Sequence, residues 1–129
     1  MTSHFARKEL QCKCGCGLAN FHPGFLDKLE ELRVELDEPM SLTSACRCTT
    51  HNIKVGGHER SLHIGDNPQH SGQGGTLAID VATPNAAYRG RLVAIAWILG
   101  WSIGWGGKKG FVHLDRRDMV GLSQTTFDY

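Results

Sequence analysis

No apolar run in the 129-residue chain approaches the roughly 20 residues that a membrane-spanning helix needs, which argues against membrane insertion. Net charge is nearly absent as well. Fourteen Lys and Arg against 13 Asp and Glu leave +1, so no electrostatic argument makes nucleic acid or an anionic membrane the main partner. The stretch from Met1 to Lys8 lacks the apolar centre of a secretory signal, so the expectation is synthesis in the cytoplasm, with any action outside needing another route. Internal repeats and low-complexity segments are missing too. The five cysteines, at 12, 14, 16, 46 and 48, are an odd number, which argues against a fully paired disulfide framework. Their Cys-x-Cys-x-Cys run also lacks the two-residue spacer of zinc knuckles. Reduced thiols behaving as small hydrophobes are the expectation, with a Cys-bound structural zinc as the alternative. What remains is an ordinary globular composition, 40% hydrophobic and 21% charged, in a chain long enough for a single domain around one core.

Residues 1–20 show no steady period and read as an irregular arm anchored by Phe5 and Leu10. From His22-Pro23 the pattern changes. Phe25, Leu29, Leu32 and Leu36 fall on one helical face, Leu26 widens it, and Pro39 ends it. Met40 to Ser44 alternates as a strand. Ala45 to Thr76 holds no period and reads as a long loop, a feature that is usually functional in a compact domain. Thr76 to Val81 is the next strand. Thr83-Pro84 signals a second helix, with Tyr88, Leu92, Ile95, Ala96 and Leu99 as its apolar stripe and Gly100 as its stop. Trp101 to Trp105 and Gly110 to Asp115 form two short strands around a turn, and the tail from Arg116 carries no clear pattern. Helices segregated from a small, mostly antiparallel sheet define an α+β fold.

Chemistry concentrates on the strands. Asp80 follows Ala78 and Ile79 and precedes Val81, and a buried lone carboxylate is costly unless paired or metal-bound. His113 lies between Val112 and Leu114, so in an extended chain it points away from both. A salt bridge or a hydrogen-bonded core histidine would explain either residue alone. Both together, with Ser61-Leu62-His63 upstream, favour a divalent metal of the zinc type. Three protein ligands would leave a fourth position open, as in catalytic rather than structural sites.

The order of short motifs adds a resemblance. Phe5-Ala6-Arg7-Lys8-Glu9-Leu10, Cys12-Lys13-Cys14-Gly15-Cys16-Gly17, Ser44-Ala45-Cys46-Arg47-Cys48, His51-Asn52, Val55-Gly56-Gly57, Ser61-Leu62-His63, Ala78-Ile79-Asp80 and His113-Leu114-Asp115 occur in that sequence. In this combination the chain resembles the M15 peptidases, the zinc D-Ala-D-Ala carboxypeptidase and cell-wall endopeptidase family, and specifically its short phage and bacterial branch. The resemblance implies a Hedgehog/DD-peptidase-like α+β architecture and one catalytic Zn2+ held by His63, Asp80 and His113. It also implies Arg47 and Ser61 as substrate contacts, and a monomer acting on peptidoglycan stem peptides. Phage or prophage origin, with release through a holin or lysis, goes with that reading.

Two departures stand out. The family places its first His and its Asp about seven residues apart, whereas His63 and Asp80 are separated by an insertion carrying a second candidate, His70. His63 is preferred because it follows Val55-Gly56-Gly57 at the family's distance. Other branches carry an acidic residue three positions before the last His, where this chain has Gly110. Asp115, on the same strand face as His113, is the replacement candidate for the catalytic base, and orienting a ligand imidazole is its other possible role. Two rival functions stay open. One is an Fe(II) oxygenase with the same two-His, one-carboxylate ligand set, for whose double-sheet barrel four or five strands are too few. The other is a non-enzymatic module centred on the cysteines.

Overall fold

The computed structural model describes residues 1–66 and 74–129. His70 and most of the insertion fall at 67–73, outside the described residues, so the choice between His63 and His70 is approached only from the side of His63. The elements run α1 (Arg7–Leu10), α2 (Phe25–Leu36), β1 (Leu42–Ser44), α3 (Thr49–Lys54), β2 (Ala78–Ala82), α4 (Ala86–Ile98), β3 (Ser102–Trp105), β4 (Phe111–Asp115) and β5 (Thr126–Asp128). The five strands form one sheet in the order β1-β2-β4-β3-β5. Every pairing is antiparallel except β3 with β5, which is parallel. The α+β reading therefore holds.

Strand alternation separates the sheet into two chemistries. Ile79 lies opposite Leu114, Val81 opposite Val112, and Ile103 opposite Leu114. These residues belong to the core with Leu29, Leu32 and Leu36 of α2 and Leu92 and Ala96 of α4. One residue along each strand, Asp80 lies opposite His113, and His113 opposite Gly104. The period of two therefore sends the apolar set to the core and the polar set to the other face.

The α2 stripe of Phe25, Leu29, Leu32 and Leu36 is buried as its spacing predicts. The helix begins after Pro23 rather than on it, because Gly24 takes a left-handed conformation at the N-cap. In α4 the cap is Asn85, whose side chain accepts the Tyr88 N–H at 2.8 Å. Thr83 does not serve, since its N–H donates to Gly110 O at 2.9 Å and prolongs the β2–β4 pairing. Within that stripe Tyr88, Leu92 and Ala96 are buried, and Ile95 and Leu99 are partly buried.

Three elements lie where the sequence reads as arm, loop or tail, and the first is α1, one helical turn within the arm of residues 1–20. The long loop contains α3, a six-residue helix with only Asn52 buried, so it offers no apolar stripe to detect. The tail contains β5, which packs Phe127 against the sheet. Gly104 makes that packing possible. A Cβ there would lie 2.9 Å from the Phe127 ring and 3.0 Å from His113 Cβ. Gly104→Ala is expected to cost about 1–3 kcal/mol through overpacking, read as a lowered urea midpoint, with unaltered stability counting against this packing account.

Candidate metal centre

His63 is fixed from both flanks. Its carbonyl accepts the Arg47 N–H at 2.9 Å and the Thr76 hydroxyl at 2.8 Å, while its own N–H donates to Ser61 Oγ at 3.2 Å. Asp80 comes from the middle of β2 and His113 from the middle of β4, directly across the ladder. Their side chains converge. His63 Nε2 lies 3.1 Å from Asp80 Oδ1 and 3.3 Å from His113 Nδ1, and His113 Nδ1 lies 3.0 Å from Asp80 Oδ1.

The outer hydrogen bonds decide what these three atoms are. His63 Nδ1 lies 2.7 Å from the Ala45 carbonyl oxygen, which only accepts, so Nδ1 carries the proton. A neutral His63 then presents a lone pair on Nε2. On the other ring, His113 Nε2 donates to Asp115 Oδ2 at 2.8 Å, leaving a lone pair on Nδ1. Asp80 Oδ1 supplies a third. Three electron pairs thus face one another over 3.0–3.3 Å in a buried place, and a cation between them resolves the repulsion. Tetrahedral bonds of about 2.0–2.2 Å space neighbouring donors by about 3.3–3.6 Å, close to what is found.

The electrostatics differ between the two imidazoles. Burial drives the His63 imidazole below its ordinary pKa despite the Asp80 charge. Burial acts on His113 in the same direction, but hydrogen bonds to Asp115 and Asp80 hold it above the ordinary value. Burial would raise Asp80, yet the two imidazoles keep it well below the usual carboxylate range. A proton on His113 Nδ1 and a metal ion compete for the same place.

Around this trio the predicted residues divide. Arg47 is buried and held through all three of its nitrogens: Nη2 donates to Asp80 Oδ2 at 3.3 Å, Nη1 to Asn52 Oδ1 at 3.1 Å and Nε to Ser44 Oγ at 3.0 Å, which leaves two of its five N–H donors for the cavity. Asn52 in turn donates to His58 O at 2.9 Å. A Cβ on Gly57 would lie 2.1 Å from Asn52 Oδ1, so the glycine of Val55-Gly56-Gly57 makes room for the side chain that steadies Arg47. Asp115 is completely buried behind His113. Arg117 grips both its oxygens, Nε to Oδ1 at 2.9 Å and Nη2 to Oδ2 at 2.8 Å. Burial alone would raise the Asp115 pKa, but Arg117 and His113 lower it. Asp66, the other titratable side chain of the insertion, accepts from Thr49 N and Oγ1 at 2.9 and 2.8 Å, and lines a separate cavity with Cys16 and Cys48. His4, His22 and His58 are engaged elsewhere, with Glu30, Pro23 O and Arg60 N respectively.

Above the trio opens a cavity of about 780 Å³, with Asp80, His113, Arg47 and Ser61 in its lining. Tyr129, which the sequence reading passes over, stacks on the His113 ring with centroids 4.4 Å apart and planes 18° apart. Burial and the Asp80 charge raise its phenol pKa, and the Arg47 guanidinium beside it pulls the other way. The one signal for this wall in the sequence is the β-prone, alternating Thr125-Thr126-Phe127-Asp128-Tyr129.

Two neighbouring strands and the loop segment that carries His63 aim two imidazoles and a carboxylate at one point beneath a cavity, an arrangement that could hold a metal ion beside a bound ligand. The family model for Peptidase M15 matches residues 3–115, and the chain belongs to that family. Membership in a peptidase family implies a hydrolase. No curated protein and no solved structure matches the chain. The family match stops at the end of β4, so Arg117, β5 and Tyr129 lie beyond it. Among the described residues no helix is long and apolar enough to cross a membrane.

Proposed function

We propose that the protein is a zinc-dependent metallopeptidase that hydrolyses peptide bonds in peptidoglycan stem peptides, with the cell wall as its place of action. His63 Nε2, Asp80 Oδ1 and His113 Nδ1 would hold one ion. The observation that carries this reading is the set of three lone pairs, their tautomers fixed from outside, meeting under an open cavity in a peptidase-family chain. When bound, zinc supplies a Lewis acid that polarises a carbonyl and makes water a nucleophile near neutral pH.

The remaining steps belong to the chain. Arg47 holds Asp80 Oδ2, so that Oδ1 keeps its direction, and offers its guanidinium to a carboxylate or a developing oxyanion in the cavity. Ser61 Oγ accepts the His63 N–H, which leaves its hydroxyl proton for a substrate carbonyl. Asp115 fixes the His113 tautomer, the orienting one of its two possible roles, and Arg117 fixes Asp115. Tyr129 forms a flat wall over His113 against which a peptide backbone can lie. Lys109 and Arg60 also line the cavity, adding positive charge suited to a carboxylate-bearing peptide.

Digesting purified peptidoglycan and weighing the fragments tests the reading. New amino and carboxyl termini in the stem peptides are expected, absent after chelation and restored by zinc. Unaltered stem peptides after treatment with zinc-loaded protein would remove the substrate assignment. For Arg47 the expectation is that Arg47→Lys lowers kcat/KM by about tenfold or more. The flexible ammonium keeps the charge but not the planar, multi-pronged donor, and a charged hydrogen bond contributes roughly 1.5–3 kcal/mol. Wild-type kinetics in that variant would confine Arg47 to packing.

A further inference from the structure

Four of the five cysteines meet in space, away from the His63 centre. Cys12 Sγ lies 3.4 Å from Cys14 Sγ and 3.8 Å from Cys48 Sγ, and Cys14 Sγ lies 3.8 Å from Cys48 Sγ. Cys16 completes the group, with all four sulfurs within 4.8 Å of one another. None is in a disulfide, whose sulfurs would be about 2.05 Å apart. A tetrahedral ion with metal–sulfur bonds of about 2.3 Å places its sulfurs about 3.8 Å from one another, the spacing found here.

The Cys48 N–H points at Cys12 Sγ at 3.4 Å and the His51 N–H points at Cys48 Sγ at 3.3 Å, so backbone donors are already aimed at sulfur. The unusual spacing is also accounted for. Gly15 and Gly17 take left-handed conformations, with φ of 91° and 81°, and the resulting curl turns Cys12, Cys14 and Cys16 inward together. A two-residue spacer is unnecessary when the loop is this tight. Cys46 stands apart, its thiol directed to Asn20 O at 3.8 Å.

We propose that Cys12, Cys14, Cys16 and Cys48 form a second metal site, a tetrathiolate for zinc or a similarly thiophilic divalent ion. Four protein ligands close the coordination sphere, so its role is structural. It ties the arm of residues 1–20 to the start of α3. Cys48 follows Arg47 directly, and the Cys46 N–H is bonded to Leu10 O at 3.2 Å on the other side, so the clamp holds the segment that presents Arg47 to Asp80. The assignment does not depend on the peptidase reading.

Metal content and cobalt spectra of protein purified under reducing conditions test it. Wild-type protein is expected to carry two zinc ions, His63→Ala one, and the Cys14→Ser/Cys48→Ser double variant one. With cobalt in place of zinc, wild type and His63→Ala should both show thiolate-to-metal charge transfer in the near ultraviolet, and the double variant should lose it. If the double variant fails to fold, the His63→Ala spectrum still decides, because all four cysteines are intact in it. Cobalt-loaded His63→Ala without thiolate charge transfer would overturn the proposal. So would an intact mass lower by the hydrogens of a disulfide in metal-free, reduced-purified protein. A loss of peptidoglycan cleavage with both ions retained would count against the proposed function alone.

Discussion

Asp80→Asn is expected to yield a folded chain that takes up no metal at the His63 centre and has no measurable hydrolytic activity. The substitution preserves shape, so β2 keeps its pairing with β1 and β4. The negative charge is what disappears. Two neutral imidazoles and an amide oxygen make a poor site for a divalent ion, and the Arg47 guanidinium, 3.3 Å from Oδ2, becomes an uncompensated positive charge beside it. Removing the carboxylate therefore weakens attraction and adds repulsion at one stroke. Circular dichroism checks the fold and metal analysis the occupancy. If the four-cysteine cluster is loaded, the residual metal should be that of the second site alone. Retention of the full metal complement would mean that Asp80 serves Arg47 rather than an ion.

Asp115→Asn should behave differently. Asp115 reaches the far nitrogen of His113, not the ligand trio, and Arg117 saturates its oxygens. An asparagine there still offers one acceptor, but it no longer enforces the Nε2–H tautomer, and it leaves Arg117 without its ionic partner. The expected result is metal affinity weakened by roughly 10–100-fold, with activity returning when zinc is supplied in excess. A general base would show the opposite: full zinc, intact fold, and turnover lower by on the order of 10²–10⁴ at every zinc concentration. Kinetics across a zinc titration separate the two.

What the sequence made legible follows from which signals are local. The α2 stripe, the alternation in Ala78-Ile79-Asp80-Val81 and Val112-His113-Leu114, and the turn between β3 and β4 are each contained within a dozen residues, and all three readings match the fold. The grouping of His63, Asp80 and His113 was readable because the motif order names all three and the strand faces place Asp80 and His113 on one side. Elements held by long-range contacts were not. α3 has a cysteine for a cap and no apolar face, so it is held by the bond between its Asn52 and Arg47 and by the Cys48 cap rather than by an apolar stripe. β5 is three residues long and exists because Gly104 leaves space for Phe127. The gathering of the CxCxC sulfurs was not legible, because it depends on the left-handed Gly15 and Gly17 and on Cys48 from a distant segment.

The division of the sheet into an apolar and a polar face has a consequence for folding fidelity. A slip of β2 against β4 by one residue would turn Asp80 toward the helices, away from His113, and present Ile79 to the cavity side. Core residues and the candidate metal ligands of the strands are thus set by the same β2–β4 ladder. If the trio takes up a metal as proposed, occupancy at that centre would report how β2 and β4 are aligned.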